Sequence, residues 1–204
     1  MSAQAILMDA GVAGLAMRQI TTHAGLVSAT FYNYFPDIGS LVAELGELLG
    51  ATHAAAVADL NTEGDDPEVR FARITRHTMR ILTLRPGFGR LLFDVGLPAD
   101  RLSSDIRLSL KRDIADGMER GIFKRGDLDV TVSLVTGALY GLALDLHRGV
   151  LPACKIEAAT ASLLTHLGVC PAEALALSQE MIEFPPPPNL PMRWLALPPR
   201  PAAE

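Results

Sequence analysis

MRQITTHAGLVSATFYNYF, residues 17–35, followed by Pro36, is the stretch on which the reading of this chain turns. A short helix at about residues 16–23 precedes Gly25, which supplies a tight turn. A second short helix covers about residues 28–34. Pro36 stops it, because proline lacks the N–H and disfavours helix for the residue before it. Ile20 and Ala24 are expected to point inward from the first helix. Phe31 and Phe35, four apart, give the second helix one buried face. Its remaining positions, Ser28, Ala29, Thr30, Tyr32, Asn33 and Tyr34, are small or hydrogen-bonding. Two short helices about a glycine turn can form a helix-turn-helix, whose second helix enters the major groove while the first crosses the backbone. Small residues permit close approach, Thr and Tyr hydroxyls bond phosphates, and Asn can bond a base edge. On spacing alone, an ordinary helical hairpin with an aromatic core is the simpler reading.

Working outward, apolar residues recur at three and four rather than two, so the chain reads as all-α. A first helix over residues 4–10 ends at Gly11. Asp37 is a plausible N-cap for a long helix reaching about residue 60. Pro67 suits the first position of the next helix, to about residue 84. There Phe71, Ile74, Thr78, Ile81 and Leu82 share one side, and Arg73, Arg76, His77 and Arg80 are among the polar positions. Residues 86–95 form a short apolar helix and residues 102–118 another, closed by Gly121. An apolar helix follows Asp127 and ends at Gly149. Ile156–Leu167 is closed by Gly168, and Pro171 starts a last helix to about residue 182. From Pro185 the chain is proline-rich, so it is either flexible or laid extended on the surface.

The residues of the opening stretch resemble the TetR (tetracycline-repressor-like) family of bacterial transcriptional regulators. The likeness covers about residues 5–45 and rests on the pairing of AG with TFYNYF. GIFKRGDL, residues 121–128, is similar to a turn before that family's penultimate helices. The resemblance implies three segments. Residues 1–45 would be a three-helix DNA-binding head with a shortened first helix, residues 46–184 a helical effector-binding and dimerisation body, and residues 185–204 a tail. It implies a homodimer that reads a palindromic double-stranded operator, acts by repression and is released by a small effector. Carried over, Thr30 and Tyr32 contact phosphate. Ser28, Ala29, Asn33 and Tyr34 face the groove, and Arg18 touches backbone or a nearby base.

Four positions depart from that pattern. Val27 and Ala16 stand where Ser and Thr commonly cap the two helices, Ile38 stands where a Lys pairs with phosphate, and the first helix is short. Arg18 is the only Lys or Arg in the first fifty residues, set against Asp9, Asp37, Glu44 and Glu47, for a net charge of −3. Phosphate neutralisation supplies much of the affinity in such complexes, so this head should bind DNA weakly. Either a basic segment lies upstream of Met1, or the chain works as a dimeric small-molecule binder with a weakened head.

In the body, Leu128, Val132, Val135, Leu139, Leu142 and Leu146 form a seam at alternating four and three spacing, which suits either an intramolecular core or a partner helix. With the resemblance added, a dimer is expected through Val135, Gly137, Ala138, Gly141, Leu142, Leu163 and Leu167. Effector-lining candidates are Phe88, Leu92, Phe93 and Met118, with Phe123, Tyr140, Leu144 and His147. Since only Tyr140 and His147 are polar, the effector is expected to be largely apolar.

Composition limits the other classes. The net charge of −5 disfavours nonspecific nucleic-acid binding, and the 49% hydrophobic content is ample for a core. No uninterrupted apolar run approaches bilayer-spanning length, so no membrane partner is expected. Cys154 and Cys170 fit neither a disulfide framework nor a metal site, read as inert thiols in apolar surroundings, and suit a reducing cytoplasm. Asp94, Asp145, His147 and His166 are scattered, with no nucleophile elbow or phosphate loop. No catalytic residue, metal or cofactor is therefore expected.

Overall fold

A computed structural model describes residues 1–11, 14–58, 60, 64–83, 88–94 and 99–185. Regular structure among them is entirely helical. The order is α1 (Ser2–Ala10), α2 (Met17–Ala24), α3 (Ser28–Tyr32), α4 (Ile38–Ala58), α5 (Pro67–Thr83), α6 (Phe88–Phe93), α7 (Ala99–Glu119), α8 (Leu128–His147), a 3-10 turn (Ala153–Lys155), α9 (Ile156–Leu167) and α10 (Pro171–Gln179).

Local chemistry sets several of these ends. Asp37 Oδ1 accepts the Ser40 N–H at 2.7 Å and caps α4. Asp127 Oδ1 accepts the Val130 N–H at 3.0 Å and caps α8. Gly168, left-handed at φ 105°, closes α9. Two helices end sooner than their sequence suggests. α3 stops at Tyr32, and Asn33 and Tyr34 turn toward Pro36. α10 stops at Gln179 because Glu180 turns extended and returns to α5, where its carbonyl accepts from Arg76 Nη1 at 2.7 Å.

α4 is about 31 Å long at 1.5 Å per residue and runs unbroken past residue 45, so the expected head and body share one helix. Its first half contributes Leu41, Val42, Leu45 and Leu49 to a core with Leu7, Ile20 and Phe31, and this core continues into Ile81, Leu82, Leu92 and Ala143. A second core joins Phe71 and Met79 of α5, Ile114 of α7, Val132 and Val135 of α8, and Leu164 and Leu167 of α9 around Phe123. Phe71 and Phe123 meet edge to face at 6.1 Å. Burying each of these rings contributes about 1.5–3 kcal/mol.

Tertiary packing overrides the sequence pattern at three places. Ala24 is exposed, and Thr21, with its hydroxyl bonded to the Met17 carbonyl, is buried beside Ile20 in its stead. Arg76 and His77 are buried, because the returning Glu180–Phe184 segment covers that side of α5. Cys154 and Cys170 are exposed free thiols, contrary to the apolar surroundings expected. α8, with a mean hydropathy of 1.3, is by length and composition apolar enough to cross a bilayer, although no uninterrupted apolar run suggested it. The cause is that α8 is apolar on its outward side as well as its inward one.

Candidate DNA-reading head and ligand cavity

The helix-turn-helix geometry starts at Gly25. Its φ of 67° is left-handed, and the chain closes α2 with the Leu26 N–H on the Thr21 carbonyl (2.8 Å) and the Gly25 N–H on the Thr22 carbonyl (3.2 Å). That pair of bonds forces the reversal that a side-chain-bearing residue would strain. α3 then anchors through Phe31, which is 5% exposed and lies 5.6 Å from the half-buried Phe35 ring. With that face held, Ser28, Ala29, Tyr32, Asn33 and Tyr34 are exposed and Thr30 is half-buried. Arg18 is exposed on α2, in a shallow depression shared with Asp9, Gln19 and His23.

Neither short helix has a side-chain cap: Ala16 and Val27 occupy the cap positions with extended backbone and no bond to offer. Large apolar and aromatic side chains stand on the surface around the turn, with Leu26, Val27, Tyr32 and Tyr34 each more than half exposed. The Asp37 carboxyl sits below its ordinary pKa, chiefly through the Ser40 N–H, so a negative charge stands beside this surface.

In the body, a small, largely enclosed apolar cavity of about 30 Å³ lies between α4, α5, α6, α7 and α8. A ring-sized guest must therefore push the walls apart. His53, Thr78, Met79, Leu82, Leu92, Ile106, Leu110, Thr136, Leu139, Tyr140 and Ala143 line it. Of the eight expected lining residues, Leu92 and Tyr140 are there. Met118 and Phe123 pack in the second core, and Phe93 stands behind Tyr140 with its ring edge-on at 6.1 Å. Leu144 faces outward, 37% exposed. The Phe88 side chain lies outside the described residues. His147 instead pairs with Asp94 at 2.8 Å, which also takes Arg148 at 3.2 Å, so two residues that looked scattered in sequence tie α6 to the end of α8. The lining residues on α4 and α5 were missed because helical periodicity marks them as ordinary core.

Behind the cavity wall stands a column of rings. His53 and His77 stack at 6.2 Å, and Phe184 stacks on His77 at 5.9 Å. The guanidinium groups of Arg76 and Arg80 lie 5.2 and 4.7 Å from the Phe184 ring centre. Burial pushes both imidazoles down to about 4; the His77 charge adds to the effect on His53, and Arg80 adds to that on His77.

The seam of α8 turns inward. Val135, Leu163 and Leu167 are at most 5% exposed within one chain, which makes them core residues rather than candidates for a partner. Leu142 is half-buried against the same core. Gly137, Ala138 and Gly141 are exposed, and a Cβ at either glycine would meet nothing within 4 Å. They share the outward side with Val130 and Leu134, each more than half exposed.

No family model matches the sequence, and no curated protein matches it. Solved structures do. RolR without ligand aligns with a TM-score of 0.71 at 27% identity, over 90% of this chain and 97% of that one. RolR in complex with resorcinol aligns at 0.72 and 27% identity, over 90% and 93%. A putative TetR-family transcriptional regulator from Vibrio parahaemolyticus aligns at 0.59 and 24% identity, over 80% and 93%.

Proposed function

We propose that this chain, whose fold is that of TetR-type transcriptional regulators, is a ligand-responsive repressor that binds a palindromic operator as a homodimer. A small, mostly apolar molecule entering the body cavity would release it. The observation that carries this reading is α4. Its first half holds the head core through Leu41, Leu45 and Leu49, and farther along His53 lines the cavity. A guest that parts the cavity walls therefore acts on the helix whose side chains share the head core with Phe31 of the reading helix. RolR, of similar fold, binds resorcinol, a molecule of one ring, which makes single-ring compounds the first effectors to try.

DNA contact is assigned to Arg18, Thr30 and Tyr32 on phosphate and to Ser28, Ala29, Asn33 and Tyr34 in the groove. All but the half-buried Thr30 are exposed. The dimer is assigned to the outward side of α8, with Val130, Leu134, Gly137, Ala138 and Gly141, because a two-fold makes such a self-complementary apolar face meet itself.

A second reading, a dimeric ligand binder with a weakened head, is favoured by the two uncapped helices and the single Arg. Fluorescence anisotropy on the chain's own upstream intergenic DNA, at 20 and 150 mM salt, separates the two. Sequence-specific binding that the effector reverses supports repression. No specific binding at the lower salt removes the DNA arm and leaves the second reading.

A further inference from the structure

The body cavity is closed as it stands. At about 30 Å³ it falls well short of the roughly 150 Å³ that holds a benzene-sized guest, so a ring must gain its room from the wall. Much of that wall is pinned in the two cores, through Leu82, Leu92 and Ala143 in one and Met79 and Leu110 in the other. His53 stands differently. Behind its ring lies His77 at 6.2 Å, and behind His77 lies Phe184 at 5.9 Å, half-buried at the surface. The three rings form a column from the cavity to the surface, and only the outermost of them is not on a helix.

The Glu180–Phe184 segment has no regular backbone structure and is tied to α5 by side chains. The Glu180 carboxylate takes Arg73 at 3.3 Å, and its carbonyl accepts from Arg76 Nη1 at 2.7 Å. The Arg76 and Arg80 guanidinium groups lie over the Phe184 ring. Between these anchors Met181 is 97% exposed. Closure also carries a cost. Arg76 Nε, His77 Nε2 and Arg80 Nε are buried with no hydrogen-bond partner among the described residues. Lifting the segment lets water reach them, which removes the penalty of a buried polar atom left unbonded.

We propose that Glu180–Phe184 is a strap that shuts the body cavity, and that an apolar guest gains its room when Phe184 lifts and His77 and His53 move outward along the column. Strap closure and guest binding then exclude each other, so each weakens the other by the same factor. This rests on the ligand-binding reading above and names the element that regulates access to that site.

The test uses the full chain at pH 7.5 with toluene as the probe. In calorimetric titration, Phe184→Ala is expected to bind toluene at least about tenfold more tightly than the native chain, because a minor open state is populated to about 10% or less. Phe184→Tyr, which keeps a ring on His77, should bind as the native chain does. In digestion with a glutamate-specific protease, saturating toluene should speed cleavage of the native chain after Glu180 and Glu183, since cleavage follows the population of the open form. Adding Ala143→Val, which narrows the cavity from α8, should cancel the gain made by Phe184→Ala. A gain that survives it puts toluene in the seat that Phe184 left and overturns the inference. Equal toluene affinity of the native and Phe184→Ala chains, or cleavage that toluene leaves unchanged, also overturns it while the ligand-binding reading stands. Toluene bound by neither chain overturns both.

Discussion

Acid should destabilise this protein through the His53–His77 stack. His53 is 5% exposed and His77 1%. Around them stand the Thr78 hydroxyl, the Phe184 ring, Arg76 and Arg80, with Glu157 on Arg80 and the Glu180 carbonyl on Arg76. Burial, the leading cause, lowers both folded values to about 4 from 6.5. A histidine held low in the folded state takes up its proton more readily when unfolded. Its contribution is therefore fully present above pH 6.5 and is lost as pH falls from 6.5 toward 4. With those values, moving from pH 7.5 to pH 5 costs about 2 kcal/mol per histidine, or about 4 for the pair. For a chain of this length that is a fall in Tm of roughly 8–16 °C. Other groups also take up protons as the pH falls, so the comparison is with the double variant His53→Gln/His77→Gln. Scanning calorimetry at pH 7.5, 6.5, 5.5 and 5 should show the native Tm falling more steeply than the variant's by about that amount. Parallel curves would refute the claim that these imidazoles are buried and neutral.

Four further outcomes follow from other contacts. Phe184→Ala uncovers His77, lets it titrate nearer 6.5, and should remove about half of the acid-dependent loss in the same calorimetric series. Asp127→Ala deletes the α8 cap on Val130 and should cost about 1 kcal/mol, read as a 2–4 °C fall in Tm at pH 7.5. Leu134→Glu puts a charge on the outward side of α8 and should turn a dimer into a monomer in light scattering at micromolar concentration; a dimer that persists places the interface elsewhere. Ile38→Lys should steepen the slope of log K against log salt by about 0.9, one added phosphate contact, and an unchanged slope would mean that residue 38 does not approach DNA.

What the sequence by itself determined is local. Gly25, the four-residue spacing of Phe31 and Phe35, and Pro36 specify a turn, a buried face and a stop within a few residues, and each acts through its own backbone or its own helix. The caps Asp37 and Asp127 and the closing Gly168 are of the same kind, so α2, α8 and α9 were legible in nearly their observed bounds and α3 in its start. The uncapped positions Ala16 and Val27 were legible for the same reason.

Only the tertiary structure decided which way each helix faces. The seam Leu128–Leu146 was compatible with a core or with a partner, and Val135 turned inward because α5 and α7 pack against α8. Arg76 and His77 read as polar surface until the Glu180–Phe184 segment returned over them, a contact across roughly a hundred residues that no local period encodes. The cavity has the same origin. Its lining joins five helices, and His53 and Thr78, twenty-five residues apart, meet only when α4 and α5 pack. Helical periodicity marks a residue as buried. Whether it is buried against another side chain or against a space depends on how distant helices fail to fill the volume between them.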